Sequence, residues 1–502
     1  MPNHTIAENL TRLQNARSSI ASAISAKGGT VSASDGYEDF PAAIASIPSG
    51  GVLPSGGGGL RTARGTILFL DYDGTVIYSY TKEEFLQLSS LPDNPTHDGL
   101  TSQGWNWTLS DAKTYLSNHK ALNIGQTYAP NDSNTRIYVD IPEDRLSPTL
   151  KVYLEADPSQ AYVEIDWGDG SSRSVWFENS SGFKTEQHTY PAPGKYVISI
   201  IVHDGYVRLE SSIPTTMSTL LTAGNNSLQS PDRAFLNSIY RVELSPGIKL
   251  GPGAFYCCSM LSSVVIPLNI TTIPQYAFGR CSALFSVVLP KTVTTLDAYC
   301  FYDNSSLASV SLPNNVTTLG NSVFSQCRAL YSISLPDTID SVGSSIFNSC
   351  SSLSDIQYPA SATTLPSSFV NGCLSLKYFT IPSNITSIGN SAFNGCTGLS
   401  KLTIPNSVTT IGQSVFATCS SLTKINLPNN FTLINSTLFN GCQSLVSITI
   451  PASVTSIGSN AFGSSSGILA RTTKILVPTG SLSAYQSATN YPNPSNYTYE
   501  EY

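Results

Sequence analysis

From about Pro246 to Leu469 the apolar and polar positions repeat as one unit. Pro267, Pro290, Pro313, Pro336, Pro359, Pro382, Pro405, Pro428 and Pro451 stand 23 residues apart. Phenylalanine keeps the same step at Phe278, Phe301, Phe324 and Phe347, then at Phe393, Phe416, Phe439 and Phe462. Leucine does so from Leu261 to Leu445, and cysteine at Cys258, Cys281, Cys327, Cys350, Cys373, Cys396, Cys419 and Cys442. A fixed period in the twenties predicts a solenoid, whose coils bury their apolar faces only by stacking on one another.

Within one unit, Leu402 and Ile404 alternate with polar residues, the two-residue period of a half-buried strand. Proline then ends the strand, since it has no N–H to give to a ladder. A second short extended piece, Val408 to Ile411, precedes Gly412, read as a turn. Phenylalanine and cysteine then enter the interior. At Phe369-Val370 the large and small residues trade columns relative to Ala392-Phe393, a volume-conserving exchange that a filled core tolerates.

These columns resemble the BspA-like leucine-rich repeat family. The resemblance implies a mainly β, multidomain chain with a solenoid of nine to ten coils. With strands ~4.8 Å apart the rod is on the order of 40 Å long. Two outward rows are expected on it: Ser263, Ser286, Ser309, Ser332, Asp355, Tyr378, Lys401, Lys424, Ser447, and, two residues on, Val265 to Thr449. The plain reading is a solvated Ser/Thr ladder. The sharper one is a ligand strip centred on Asp355, Gln357, Tyr378, Lys401, Lys424 and Asn426, where the rows stop being uniform.

Upstream, Ile6, Leu10, Leu13, Ile20 and Ile24 follow helical spacing, either as an oligomer seam or as a face packed on a neighbour. Residues 1–48 resemble N-terminal modules of phage tail structural proteins, and 49–62 read as a Gly-rich linker. Residues 63–130 scan as a small α+β module, and Phe69 to Leu116 also resembles a phage tail module. Residues 131–212 alternate strongly. Asp166-Trp167-Gly168-Asp169-Gly170, His188-Thr189-Tyr190 and Gly194 to Ile198 resemble the PKD-type immunoglobulin-like domain, which implies a β-sandwich spacer. Asp166, Asp169 and His188 are read as turn and packing residues, with a Ca²⁺ site as the alternative. The solenoid with its caps is expected over 213–480. Residues 481–502 are expected to form a cap helix (481–488) and a loose tail.

Residues 66–75 hold the one enzymatic lure, an apolar strand ending in Asp71-Tyr72-Asp73-Gly74-Thr75. It resembles the first motif of haloacid-dehalogenase-type phosphatases, which implies Asp71 as nucleophile, Asp73 as general acid/base, and Mg²⁺. A strand-like run follows at once, where that family has a helix, so Asp73-Gly74 reads as a hairpin turn. The family's later motifs are missing, and the catalytic reading is set aside.

Composition narrows the function. A net charge of −7 with 12% charged residues offers no basic stripe for nucleic acid. The repeat region holds seven Lys/Arg against five Asp/Glu, nearly neutral. Cysteines in an inward column point the wrong way to bridge, so Cys281, Cys327, Cys350, Cys396 and Cys419 join Phe278, Phe324, Phe347, Phe393 and Phe416 as core filling. Cys257 alone is expected to be exposed. No signal-peptide pattern or 18-residue apolar run occurs. The expectation is a non-enzymatic recognition protein without cofactor or metal: a phage tail-associated adhesin binding a host-cell glycan or protein. It would join other tail proteins through its N-terminus, with a homotrimer as the envisaged oligomer. The alternative is a bacterial cell-surface or secreted leucine-rich-repeat adhesin.

Overall fold

The computed structural model describes residues 66–143, 146, 149–154, 162–177, 182–203, 207–209, 236–463, 473–483 and 498–502. The N-terminal helix, the Gly-rich linker and most of the expected cap helix lie outside the described residues.

The first unit is a four-stranded sheet. The apolar strand β1 (Thr66–Leu70) turns through Asp71 to Thr75 into β2 (Val76–Thr81). The Asp71 N–H donates to the Thr75 carbonyl at 2.8 Å, and Gly74 takes φ +88°, which closes the hairpin expected at Asp73-Gly74. Thr81 and Glu84 form a capping box for α1 (Lys82–Leu86). Then follow β3 (Leu100–Trp105), α2 (Leu109–Asn118) and β4 (Leu122–Pro130), in the sheet order β2-β1-β4-β3. Beyond the expected hairpin, β1 also has a parallel neighbour, because the crossover through α1, β3 and α2 returns the chain beside it as β4.

A β-sandwich follows. It uses β5 (Thr135–Ile141), β6 (Thr149–Leu154), β7 (Tyr162–Asp166), β8 (Ser174–Phe177), β9 (Gly182–Gln187), β10 (Gly194–His203) and β11 (Val207–Leu209). Trp167 is buried in its core, with the His188 ring stacked on it at 4.6 Å. His188 Nε2 lies 2.7 Å from Asp169, which also accepts from the Ser171 N–H. The sandwich is not a separate bead. The strands β12 (Ile239–Glu243), β13 (Ile248–Leu250) and β14 (Ser263–Val265) of the first coils extend its two sheets, in the orders β14-β12-β5-β10-β7-β8 and β13-β11-β6-β9. The expected boundary near residue 212 therefore falls inside shared sheets. Physically, β5 and β11 cover the bare edge that an open stack would present.

Coils then pair in parallel at a step of 23 residues, Ser286↔Ser309 and Lys401↔Lys424 among the registers. The Phe255, Phe278, Phe301, Phe324 and Phe347 rings stack 5.6–5.9 Å apart and nearly parallel. At the exchanged column Phe369 turns edge-on to Phe347, at 73°, and Phe379 fills the space before stacking resumes from Phe393. Seven inward thiols donate to a carbonyl of the preceding coil, Cys350 to Phe324 and Cys419 to Phe393 at 3.1 Å among them. All ten cysteines are free and buried. Cys257 is buried too, contrary to expectation, because Tyr256 and Tyr276 pack around it.

Gly412 has a different role from the turn expected of it. A Cβ there would lie 2.4 Å from Asn390 Oδ1 and 2.6 Å from the Asn390 nitrogen, so glycine lets adjacent coils approach. The tail expected to be loose ends in a strand, Thr498–Glu501, paired in parallel with the last coil's Lys474–Val477.

Candidate binding surface

The outward rows begin as small residues: Ser263, Val265, Ser286, Val288, Ser309 and Ser311. All six are buried, so over these coils there is no solvated ladder. The α+β module lies across them with β4 against the row. Its approach needs small groups on both sides. A Cβ on Gly125 would sit 2.3 Å from a Val288 methyl, and one on Gly74 would sit 2.5 Å from Ser286 Cβ.

Polar contacts fix this docking. Asn106 Nδ2 donates to the Leu289 carbonyl and to Ser311 Oγ, both at 3.0 Å, while its Oδ1 accepts the Gly125 N–H. Ser311 and Ser334 hydroxyls donate to the carbonyls of Asn123 and Ala121. Trp107 Nε1 reaches the Leu312 carbonyl, Tyr115 OH the Leu335 carbonyl, and His119 Nε2 Asp337 at 3.0 Å. Burial raises the Asp337 carboxyl, but hydrogen bonds from His119 and the Ala360 N–H hold it below its ordinary range. A buried ion network joins the module, sandwich and first coil. Glu243 binds Arg136 and Arg241, and Arg241 lies 5.1 Å over the Tyr72 ring.

Asp71 belongs to this junction. Its side chain is buried, accepts the Tyr72 N–H at 2.9 Å and lies 2.6 Å from His97 Nε2. Burial raises its pKa despite His97 beside it. A carboxylate so engaged holds a turn, whereas a nucleophile needs open access to substrate.

The cover stops at the predicted strip. Asp355 and Gln357 are half-buried, and Gln357 Nε2 donates to Asp355 at 3.0 Å while its Oε1 accepts the Lys120 N–H at 3.4 Å. That is the last module hydrogen bond along the row among the described residues. Beyond it Tyr378 is 52% exposed, and Lys401, Thr403, Lys424 and Asn426 stand in the open. Lys401 and Lys424 are direct register partners, so two ammonium groups flank one another with no salt bridge among the described residues. Residues 356–473 contain no Asp or Glu but do contain Lys377, Lys401, Lys424 and Arg471. Averaging over the whole repeat region concealed this basic stretch, although the sequence contained the signal.

Other contributors were not foreseen. Asn106, Trp107 and Tyr115 are ordinary residues until the fold carries them some 200 positions across to the solenoid. The carbonyls they satisfy precede Pro290, Pro313 and Pro336.

Six copies of the BspA type leucine rich repeat region match residues 248–376 and 363–475, so the solenoid is built of repeats of that type. No curated protein matches the chain. Similar solved structures include a leucine-rich repeat protein from Bacteroides ovatus, 24% identical over 53% of this chain and 84% of that one, with a TM-score of 0.36. The pneumococcal vaccine antigen PcpA is 17% identical, over 53% and 80%, with a TM-score of 0.38. A leucine rich cell surface protein from Faecalibacterium prausnitzii is 23% identical, over 53% and 83%, with a TM-score of 0.31.

Proposed function

We propose that this is a non-enzymatic recognition protein of the bacterial cell surface. Its solenoid presents the strip of Asp355, Gln357, Tyr378, Lys401, Lys424 and Asn426, half-buried at its first two residues and open from Tyr378 onwards, to a glycan or protein on a host cell. The observation that carries the reading is the coincidence of composition and cover. The rows are small and uniform where the module sits, and become aromatic, charged and amide-bearing where it ends. Residues kept only for solubility have no reason to change at that point. A half-exposed tyrosine between polar neighbours also has the make-up of a binding hot spot.

The match to BspA type repeats supports a surface location. A phage tail-associated adhesin, anchored to tail proteins through its N-terminus, is the second reading and rests on the resemblance of Phe69 to Leu116 to a tail module. Fractionation separates the two: the protein is expected with the cell envelope, and recovery with phage particles would favour the second. Light scattering on the full chain and on one lacking residues 1–48 tests the homotrimer, since equal subunit numbers would remove the N-terminal seam.

For the strip, adhesion of wild type to host cells is compared with that of Tyr378→Ala combined with Lys401→Ala. At least a tenfold loss is expected, with the melting temperature unchanged. Wild-type adhesion by the variant would leave the strip as a solvated ladder.

A further inference from the structure

The proline column removes one hydrogen-bond donor from every coil. In a parallel pair, a residue donates its N–H to the partner strand one position before its opposite residue, and accepts one from the position after. Leu289 shows the first half, its N–H reaching the Ser311 carbonyl at 3.1 Å. The donor for the second half would be residue 313, which is proline and has no N–H. The Leu289 carbonyl is therefore left without a ladder partner, and the same holds at each X-Pro step.

Buried carbonyls seldom stay unpaired, and the chain fills several of these itself. Asn106, Trp107 and Tyr115 donate to Leu289, Leu312 and Leu335, and at the far end Tyr502 OH donates to Ile450 at 3.1 Å. Between these two sets the carbonyls of Tyr358, Ile381, Ile404 and Leu427 receive no hydrogen bond from the described residues. These four residues keep 4–7% exposure, whereas the four filled positions keep 0–2%. The unfilled acceptors run one per coil, about 4.8 Å apart, alongside Tyr378 and the Lys401–Lys424 pair.

We infer that this rail of X-Pro carbonyls is the recognition element of the strip and that it takes a linear acidic glycan; this rests on the strip being the binding surface. The ligand must donate hydrogen bonds at a regular step, neutralise two adjacent ammonium groups, and lay an apolar face on one phenol ring. A uronic-acid chain does all three. Each sugar carries hydroxyl donors and a carboxylate, its length is close to one coil step, and its ring C–H face stacks on tyrosine. An acidic polypeptide matches the charge, but extended it presents N–H donors along one edge only every second residue, about 6.6 Å apart, out of step with the coils.

The test uses the full chain and immobilised polygalacturonate. Pro405→Ala with Pro428→Ala restores the N–H groups facing the Ile381 and Ile404 carbonyls and leaves every strip side chain in place. Binding is expected to fall on the order of tenfold, as for the loss of one or two hydrogen bonds, with the melting temperature held or raised. O-methylated polygalacturonate, which keeps its carboxylates and loses its hydroxyl donors, is expected to bind as weakly to wild type, a readout independent of any variant's folding. If the proline variant and the methylated chain both bind as before while Lys401→Ala with Lys424→Ala does not, the strip stands and the rail falls. Equal binding of poly-glutamate would likewise overturn the glycan assignment. If wild type ignores polygalacturonate the assignment also fails, and if the lysine pair is silent as well, the strip fails with it.

Discussion

The indole N–H of Trp107 donates to the carbonyl of Leu312 at 2.8 Å, across 205 positions of sequence. Trp107 is nearly fully buried at the foot of α2, and the Leu312 carbonyl lost its ladder donor to Pro336. The contact helps make the α+β module an integral cover of the solenoid, and the Lys120–Gln357 hydrogen bond further along marks where that cover ends.

Breaking the Asn106 anchor tests that attachment. Asn106→Ala strands the Leu289 carbonyl and the Gly125 N–H in a buried interface, at a cost of about 1–3 kcal/mol. Urea unfolding should show a lower midpoint, and limited proteolysis should cut the module before the solenoid. An unchanged midpoint and cleavage pattern would mean the docking does not depend on this side chain.

The phenyl stack should be locally fragile. Phe324 lies between Phe301 and Phe347 at 5.7 and 5.9 Å. Phe324→Ala should cost about 3–5 kcal/mol. Because coils contact only their neighbours, unfolding should separate into two phases. A single transition at the wild-type midpoint would contradict a continuous interior.

Two glycines should respond differently. Gly412→Ala drives a methyl into Asn390 backbone and should separate two coils, with a large drop in melting temperature. Gly441 has φ +80°, and Gln326 and Thr418 hold the equivalent left-handed position in other coils. Gly441→Ala should therefore cost only about 1–2 kcal/mol. Equal melting temperatures for the two variants would remove the close-approach explanation.

The thiols should be silent. Burial pushes Cys350, Cys396 and Cys442 up to about 12, and every thiol is enclosed. At pH 8 a thiol reagent should titrate none of the ten cysteines until denaturant is added. Rapid reaction of any cysteine in the native protein would show that the column opens to solvent.

Acid should loosen the module. Asp337 is held below its ordinary value of 3.8, with the His119 and Ala360 hydrogen bonds outweighing burial. A depressed folded pKa gives stability that is present above the unfolded value and lost as pH falls through the folded one. The melting temperature should therefore decline from about pH 4 downwards more steeply in wild type than in Asp337→Asn. Parallel profiles would show that this pair does not couple the two units.

Much of the solenoid was legible because its information is local and repeated. Leu402, Ile404, Phe416 and Cys419 each recur in nearly every coil, and one reading of the unit serves them all. The hairpin at Asp73-Gly74 was equally readable, since a turn depends on four adjacent residues. The loose-tail reading failed at Thr498–Glu501, because that segment pairs with the Lys474–Val477 edge it meets. Cys257 was misplaced because its column is polar elsewhere, and only the fold brings Tyr256 and Tyr276 around it.

The sequence by itself determined the coil, its period and the identity of its filling, since those follow from where apolar residues fall relative to their neighbours. It also contained the proline column and the acid-free stretch, and with them the conditions for an unfilled acceptor rail. Only the tertiary structure decided which part of that rail is used internally and which faces outward. That choice depends on Asn106, Trp107 and Tyr115 meeting Leu289, Leu312 and Leu335, pairings with no periodicity and roughly two hundred residues of intervening chain. Contacts made once, between elements that share no pattern, leave no trace in spacing, and here they set the limits of the binding surface.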